Sequence, residues 1–160
     1  MAKARAKPET KGATIAVNRR AGYDYDLVER FDAGIELLGT EIKSIRNHKA
    51  NITEGYARFR DGELWLYNVH VAQYPPAREN HDPLRPRRLL LHRRELDRLE
   101  QELREHPRST VVPTRLYLNN GLAKIEIALG SGRRAYDKRE AIAKREADRA
   151  IQRGVRREQR

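Results

Sequence analysis

Tyr56-Ala57-Arg58-Phe59-Arg60-Asp61-Gly62-Glu63-Leu64-Trp65-Leu66-Tyr67 is two alternating runs joined by Asp-Gly. Asp-Gly accepts the two positive φ angles of a type I′ turn, whose twist matches that of paired strands. The segment therefore predicts a β-hairpin, with its second strand running on to Val71. Side chains on a strand alternate between faces. Trp65, Tyr67, Val69 and Val71 would share one face, Leu64 and Leu66 the other.

The same grammar recurs downstream. Thr110 to Leu118, then Asn119-Asn120-Gly121, then Leu122 to Leu129 predicts a second hairpin. Ile125, Ile127 and Leu129 are expected to point inward, Lys124 and Glu126 outward. Upstream, Tyr25, Leu27 and Glu29 alternate with Asp24, Asp26 and Val28, and Ile35 and Leu37 follow Gly34. Gly39 reads as a turn or bulge. Thr40 to Arg46 has a candidate N-cap and Ile42 three residues from Ile45, which predicts a short helix. Leu96, Leu99 and Leu103 form one stripe in His92 to Glu105, a second, amphipathic helix stopped by Pro107. Gln73 to Pro86, punctuated by four prolines, is a long loop. The result is a mainly β body of about six antiparallel strands with two or three short helices. Short strands lose their exposed edges by closing into a small barrel. An OB-like barrel fits, and a half-open sheet carrying a helix fits nearly as well.

Charge divides the chain differently. Its net +11 comprises +5 from residues 1–20, zero from 21–129 and +6 from 130–160. Cationic ends on a neutral body point to a polyanion, and the pI of about 10.2 puts nucleic acid first. An anionic membrane ranks lower, because the tail has few bulky apolar residues to insert. Residues 1–12 are expected to be a disordered basic arm, 13–129 the barrel, and 130–160 a flexible basic tail. Gly130-Ser131-Gly132 reads as a joint between barrel and tail. The tail's apolar stripe (Ile142, Ala147, Ala150, Ile151, Val155) is thin, so it is expected to become helical on a polyanion. With no cysteine, disulfides and thiolate metal sites are excluded. No apolar run approaches the roughly 20 residues needed to span a bilayer, so a cytoplasmic protein is expected.

Four segments carry a resemblance. They are Ala33-Gly34-Ile35-Glu36-Leu37-Leu38-Gly39-Thr40-Glu41-Ile42-Lys43-Ser44-Ile45-Arg46, Lys49-Ala50-Asn51-Ile52, Arg87-Arg88-Leu89-Leu90-Leu91-His92, and Tyr136-Asp137-Lys138-Arg139. In this order and spacing they resemble the SsrA-binding protein (small protein B, SmpB) family of bacterial trans-translation, from about Ala13 to Asp148. The resemblance implies an OB-like barrel that binds transfer-messenger RNA (tmRNA). It also implies delivery of that RNA, with elongation factor Tu, to stalled ribosomes. The tail would enter the vacant mRNA path and decoding site of the small subunit, where it becomes helical.

The resemblance places Asp32, Leu90, His92 and Lys124 against the tRNA-like domain of tmRNA. It places Arg133, Arg134, Asp137, Lys138, Arg139, Lys144 and Arg145 in the ribosome-binding tail. Asp stands at position 32 where the family usually has Glu, and His at 92 where Asn is common. Arg133-Arg134 replaces a common Lys-Lys, Asn47-His48 precedes Lys49 where Gly often sits, and Tyr23 replaces a frequent His.

Each residue also has a plainer reading. Asp32 could be a solvated turn carboxylate; a carboxylate could also accept from a base amino group or a ribose 2′-OH. Leu90 and His92 share a strand face opposite Leu89 and Leu91 and could meet stacked bases, though His92 equally suits a helix N-terminus. Lys124 is either a solvated strand lysine or a phosphate partner. Trp65 and Tyr67 suit base stacking, and core packing at least as well. Asn80-His81-Asp82-Pro83 is a turn before proline rather than a catalytic pair. The five histidines lack metal-ligand spacing. The expectation is a monomeric adaptor without catalysis, cofactor or metal. A general OB-type single-stranded RNA binder is the alternative, and a metal-dependent nuclease a weakly supported third.

Overall fold

The computed structural model of the chain describes residues 12–133 and 135–158. In chain order the elements are β1 (Ala13–Val17), α1 (Ala21–Asp24), β2 (Tyr25–Ile35), α2 (Gly39–Arg46), β3 (Ala50–Asn51), β4 (Tyr56–Arg60), β5 (Glu63–Tyr67), β6 (His70–Val71), β7 (Arg87–Leu90), α3 (Arg93–Glu105), β8 (Ser109–Asn119), β9 (Leu122–Gly132) and α4 (Ala135–Glu158). The sheet runs β8-β4-β5-β7-β2-β9 and closes through a β8–β9 pairing, every contact antiparallel. An even number of strands lets such a ring close without a parallel pair. The six-stranded barrel is thus realised and the half-open sheet is not. β1 adds to the free edge of β8 beyond the ring, and β3 and β6 pair in a separate two-stranded ribbon.

Both predicted turns have their expected geometry. Asp61 and Gly62 have φ of 52° and 76°, Asn120 and Gly121 of 51° and 75°. Leu64, Leu66, Leu89, Leu116, Ile125 and Ile127 fill the barrel, each at most 1% exposed. Leu96 and Leu99 of α3 join this core, and fully burying such a side chain stabilises by roughly 1.5–3 kcal/mol.

Several local expectations are corrected. Gly39 opens α2 rather than forming a bulge. Trp65 and Tyr67 are half-buried on the outer face, whereas Val69 and Val71 are buried. The alternation breaks at Asn68, whose φ of 58° ends β5 and turns the following side chains inward. Glu126 is buried, not outward-facing into solvent: Arg30 reaches it at 2.6 Å and Thr114 donates its hydroxyl to it at 2.7 Å. Gly130-Ser131-Gly132 is the paired end of β9, opposite Leu27, Asp26 and Tyr25 of β2. A Cβ at Gly130 would sit 3.0 Å from the Asp26 carbonyl oxygen, so the glycine permits close strand approach rather than a joint. Residues 135–158 form α4.

A buried ion triad anchors the long loop. Glu41, at the third position of α2, accepts from Arg87 at 2.8 Å, from Arg85 at 2.8 and 3.1 Å, and from the Leu38 N–H at 2.8 Å. Arg87 also donates to the carbonyls of Val69 and Pro83. Glu41 and Arg87 are 0% and 1% exposed. Burial alone would raise the Glu41 carboxyl. The hydrogen bonds from Arg85 and Leu38, and the Arg87 charge, outweigh it and hold the group below its ordinary range. Burial pushes the Arg87 guanidinium down against the pull of Glu41, yet arginine stays protonated. His81 completes the anchor: its Nε2–H donates to the Val71 carbonyl at 2.9 Å, so Nδ1 accepts from the Thr40 hydroxyl at 2.8 Å.

Candidate nucleic-acid interface

Strand register brings distant residues into rows across the outer surface. One row runs Leu90 (β7), Gly34 (β2), Lys124 (β9), Tyr117 (β8) and Thr14 (β1). The next runs Asp32 (β2), Glu126 (β9) and Arg115 (β8). Directly paired residues project from the same side of a sheet. Asp32, Leu90 and Lys124, separated by up to 92 positions in sequence, therefore lie on one face. Leu90 is 48% exposed, and its Cβ lies 3.2 Å from where a Gly34 Cβ would stand. The glycine lets Leu90 lie across β2.

Asp32 is not a turn carboxylate: it lies within β2, half-buried. Tyr117 donates its phenol hydrogen to Asp32 Oδ1 at 2.8 Å. Burial, then that hydrogen bond, raises the Tyr117 pKa so far that the phenol stays a donor at any physiological pH. Arg115 lies over the Tyr117 ring at 4.8 Å and donates to the Thr14 hydroxyl at 2.7 Å. The face thus presents a carboxylate fixed by the buried Tyr117, a lysine, an exposed leucine and an arginine. This combination suits 2′-OH and base-edge contacts with phosphate neutralisation beside them. His92 is the N-cap residue of α3, two residues beyond Leu90. Its imidazole is exposed and makes no cap bond, while its N–H goes to Glu95 at 3.3 Å.

The tail residues sit elsewhere. The Arg133 N–H donates to the Asp24 carbonyl at 3.0 Å, and its guanidinium lies 4.0 Å from Asp26. Lys138 is 3.3 Å from Asp24 and 5.8 Å from the centroid of the Tyr23 ring. Arg139, Lys144 and Arg145 are exposed along α4. Arg134 lies outside the described residues, as does the side chain of Asp137. Among the described residues, no three His, Asp or Glu side chains are grouped to hold a metal.

Sequence reasoning missed Tyr117, Arg115 and the Glu41–Arg85–Arg87 triad. Tyr117 was within reach, because counting outward from the two-residue Asn120-Gly121 turn sets it opposite Lys124. Nothing local in sequence links Glu41 to Arg87, which are 46 positions apart.

Fold and surface together define a closed antiparallel barrel with a polar, partly basic outer face and a long cationic helix. The SmpB protein family model matches residues 15–157. The chain belongs to that family. It is 49% identical to an SsrA-binding protein of Thermobifida fusca (strain YX), with 96% of this chain and 98% of the relative covered. It is 52% identical to one of Synechococcus sp. (strain JA-3-3Ab), over 88% and 92% of the two chains. Among solved structures it matches, at 43% identity and a TM-score of 0.63, a chain from the structure described as "tmRNA-SmpB: a journey to the center of the bacterial ribosome"; the match covers 79% of this chain and 93% of that one.

Proposed function

We propose that the chain is an RNA-binding adaptor of trans-translation, which recognises the tRNA-like domain of tmRNA and takes it to stalled ribosomes. The observation that carries this is the single outward face on which the fold assembles Asp32, Leu90 and Lys124 from three strands, in a chain of the SmpB family. Asp32, fixed through one oxygen by Tyr117, offers an acceptor for a 2′-OH or base amino group. Lys124 neutralises a phosphate and releases its counterions. Leu90 packs against an exposed base or sugar, and His92 extends the same contact toward α3.

The tail from Arg133 onward does different work. Arg133, Arg134, Asp137, Lys138, Arg139, Lys144 and Arg145 engage rRNA in the empty mRNA channel and decoding site of the small subunit. The adaptor acts in the cytoplasm as a monomer, alongside elongation factor Tu, and contributes no chemical step of its own. Because β9 pairs through Gly132, the informative truncation ends there. That truncated chain should keep its preference for the tRNA-like RNA over random RNA at matched salt, yet fail to support peptide tagging on stalled ribosomes in vitro. Equal loss of both functions would overturn the division of labour.

A further inference from the structure

Seven asparagines are spread along the chain, and Asn120 alone is followed by glycine. Four of the others hold their side chains in hydrogen bonds. Asn18 donates to the Thr53 and Pro113 carbonyls, and Asn51 accepts from the Thr53 N–H. Asn68 donates to the Glu54 carbonyl, and Asn80 clamps both the N–H and the carbonyl of Tyr74. Asn120 is different. It is exposed at the tip of the β8–β9 hairpin, and neither its side-chain amide nor the Gly121 N–H makes a hydrogen bond among the described residues. Nothing stands within 4 Å of where a Gly121 Cβ would lie, so no neighbour shields the Gly121 nitrogen. Asparagine is thermolabile, and a following glycine leaves the backbone free to rotate toward it.

We propose that Asn120 is a self-modification site, at which the Gly121 nitrogen closes on the side chain and water completes a deamidation. The Gly121 nitrogen gives up its proton and attacks Cγ of Asn120. The N–Cγ bond forms, the Cγ–Nδ2 bond breaks, and ammonia leaves with the proton, giving a cyclic imide. Water then opens the ring. Opening at Cγ leaves an aspartyl residue. Opening at the main-chain carbonyl routes the backbone through Cβ and Cγ and leaves an isoaspartyl residue. Water is consumed and ammonia released, with no oxidant or reductant. Arg46 assists: its guanidinium donates to the Gly121 carbonyl at 3.4 Å and stays charged. A cation beside this peptide favours the nitrogen anion that attacks, and then the carboxylate that forms. The consequence for the outer face rests on the proposed adaptor role. The turn sets Asn119 opposite Leu122 and Tyr117 opposite Lys124. A carboxylate at the tip opposes the phosphate contact of Lys124, and the longer isoaspartyl backbone loosens the register that pairs Lys124 with Tyr117.

The test is to incubate the folded, full-length protein in warm, mildly alkaline buffer made with heavy-oxygen water, then to digest it for mass spectrometry. The peptide containing Asn120 should exchange its amide for an acid and take up heavy oxygen. It should resolve into two forms of equal mass, with fragment ions placing the change at Asn120 ahead of every other asparagine. Gly121→Asn, which still tolerates a positive φ, should lose most of that product with its urea midpoint near the parent's. If this variant does not fold, the unaltered protein decides alone. Change arising first at another asparagine would overturn the proposal. So would a product undiminished in folded Gly121→Asn, or one that forms only once urea has unfolded the chain. The separated, folded isoaspartyl fraction should bind the tRNA-like RNA more weakly than unmodified protein, most clearly at low salt where screening is least. Equal affinity of the two fractions would overturn the consequence for Lys124. A parent protein with no preference for the tRNA-like RNA would overturn the adaptor role instead.

Discussion

Asp32 and Glu41 are two carboxylates nine positions apart, and the fold uses them in opposite ways. Glu41 is sealed: two arginines and a backbone N–H saturate both its oxygens, and no surface remains exposed. Asp32 is half-satisfied: one phenol holds Oδ1, and the residue keeps partial exposure on an outer face. A saturated buried charge has no capacity left for a ligand and can only hold structure. A charge fixed through one oxygen is oriented but still has acceptor capacity. The comparison also bears on what the family-like segments encode. Glu41 and Arg87 lie in two of them, and together they form a buried pair rather than a binding site.

The largest expected effect tests the sealed carboxylate. Glu41→Gln leaves Arg87 buried without its counter-charge and should destabilise the fold by about 3–5 kcal/mol, read as a lower urea midpoint with the slope unchanged. Its acid behaviour follows from the depressed carboxyl. The stabilisation is fully present above the unfolded carboxylate pKa and is lost as pH falls through the lower folded value. Glu41→Gln should therefore flatten stability against pH on the acid side. An unchanged acid limb would break the contrast with Asp32.

The half-satisfied carboxylate should affect binding and spare the fold. Asp32→Asn keeps the shape and should weaken binding of the tRNA-like RNA by about 1.5–3 kcal/mol, the range for hydrogen bonds to a charged group, with thermal unfolding nearly unmoved. Lys124→Ala should reduce the salt slope of binding by about 1. That slope should stay put in Asp32→Asn, which separates a phosphate contact from a hydrogen-bond contact.

Tyr117→Phe removes only the hydrogen bond that orients Asp32 and should cost about 1 kcal/mol of RNA affinity. Combined with Asp32→Asn it should add little, because both changes break one contact. Full additivity would mean that Tyr117 does not act through Asp32. The smallest effect belongs to the tail: Asp24→Asn releases Lys138 from a partly exposed bridge and should change stability by about 0–1 kcal/mol.

Hairpins and turns were legible because their causes are local. Asp61-Gly62 and Asn120-Gly121 fix turn type, and the alternation of Leu64 and Leu66, or Ile125 and Ile127, fixes the inner face. The errors arose where one residue or one distant partner overrides the period. Asn68 at positive φ sends Val69 and Val71 inward after Trp65 and Tyr67 point outward. Glu126 has the phase of an outward residue but is covered where Arg30 and Thr114 meet it. Gly130 looked like a joint because glycine serves flexibility and close packing alike; only the approach of Asp26 distinguishes them.

By itself the sequence determined the strand periods, both tight turns, the α3 stripe, the split of charge between a neutral body and cationic ends, and a family resemblance. These depend on neighbours within a few residues or on composition. The tertiary structure alone decided that Leu90, Asp32 and Lys124 share a wall, that Tyr117 orients Asp32, and that Glu41 closes on Arg87. Each depends on register between strands brought together by barrel closure, and register across long connections is set by the packing of the whole ring.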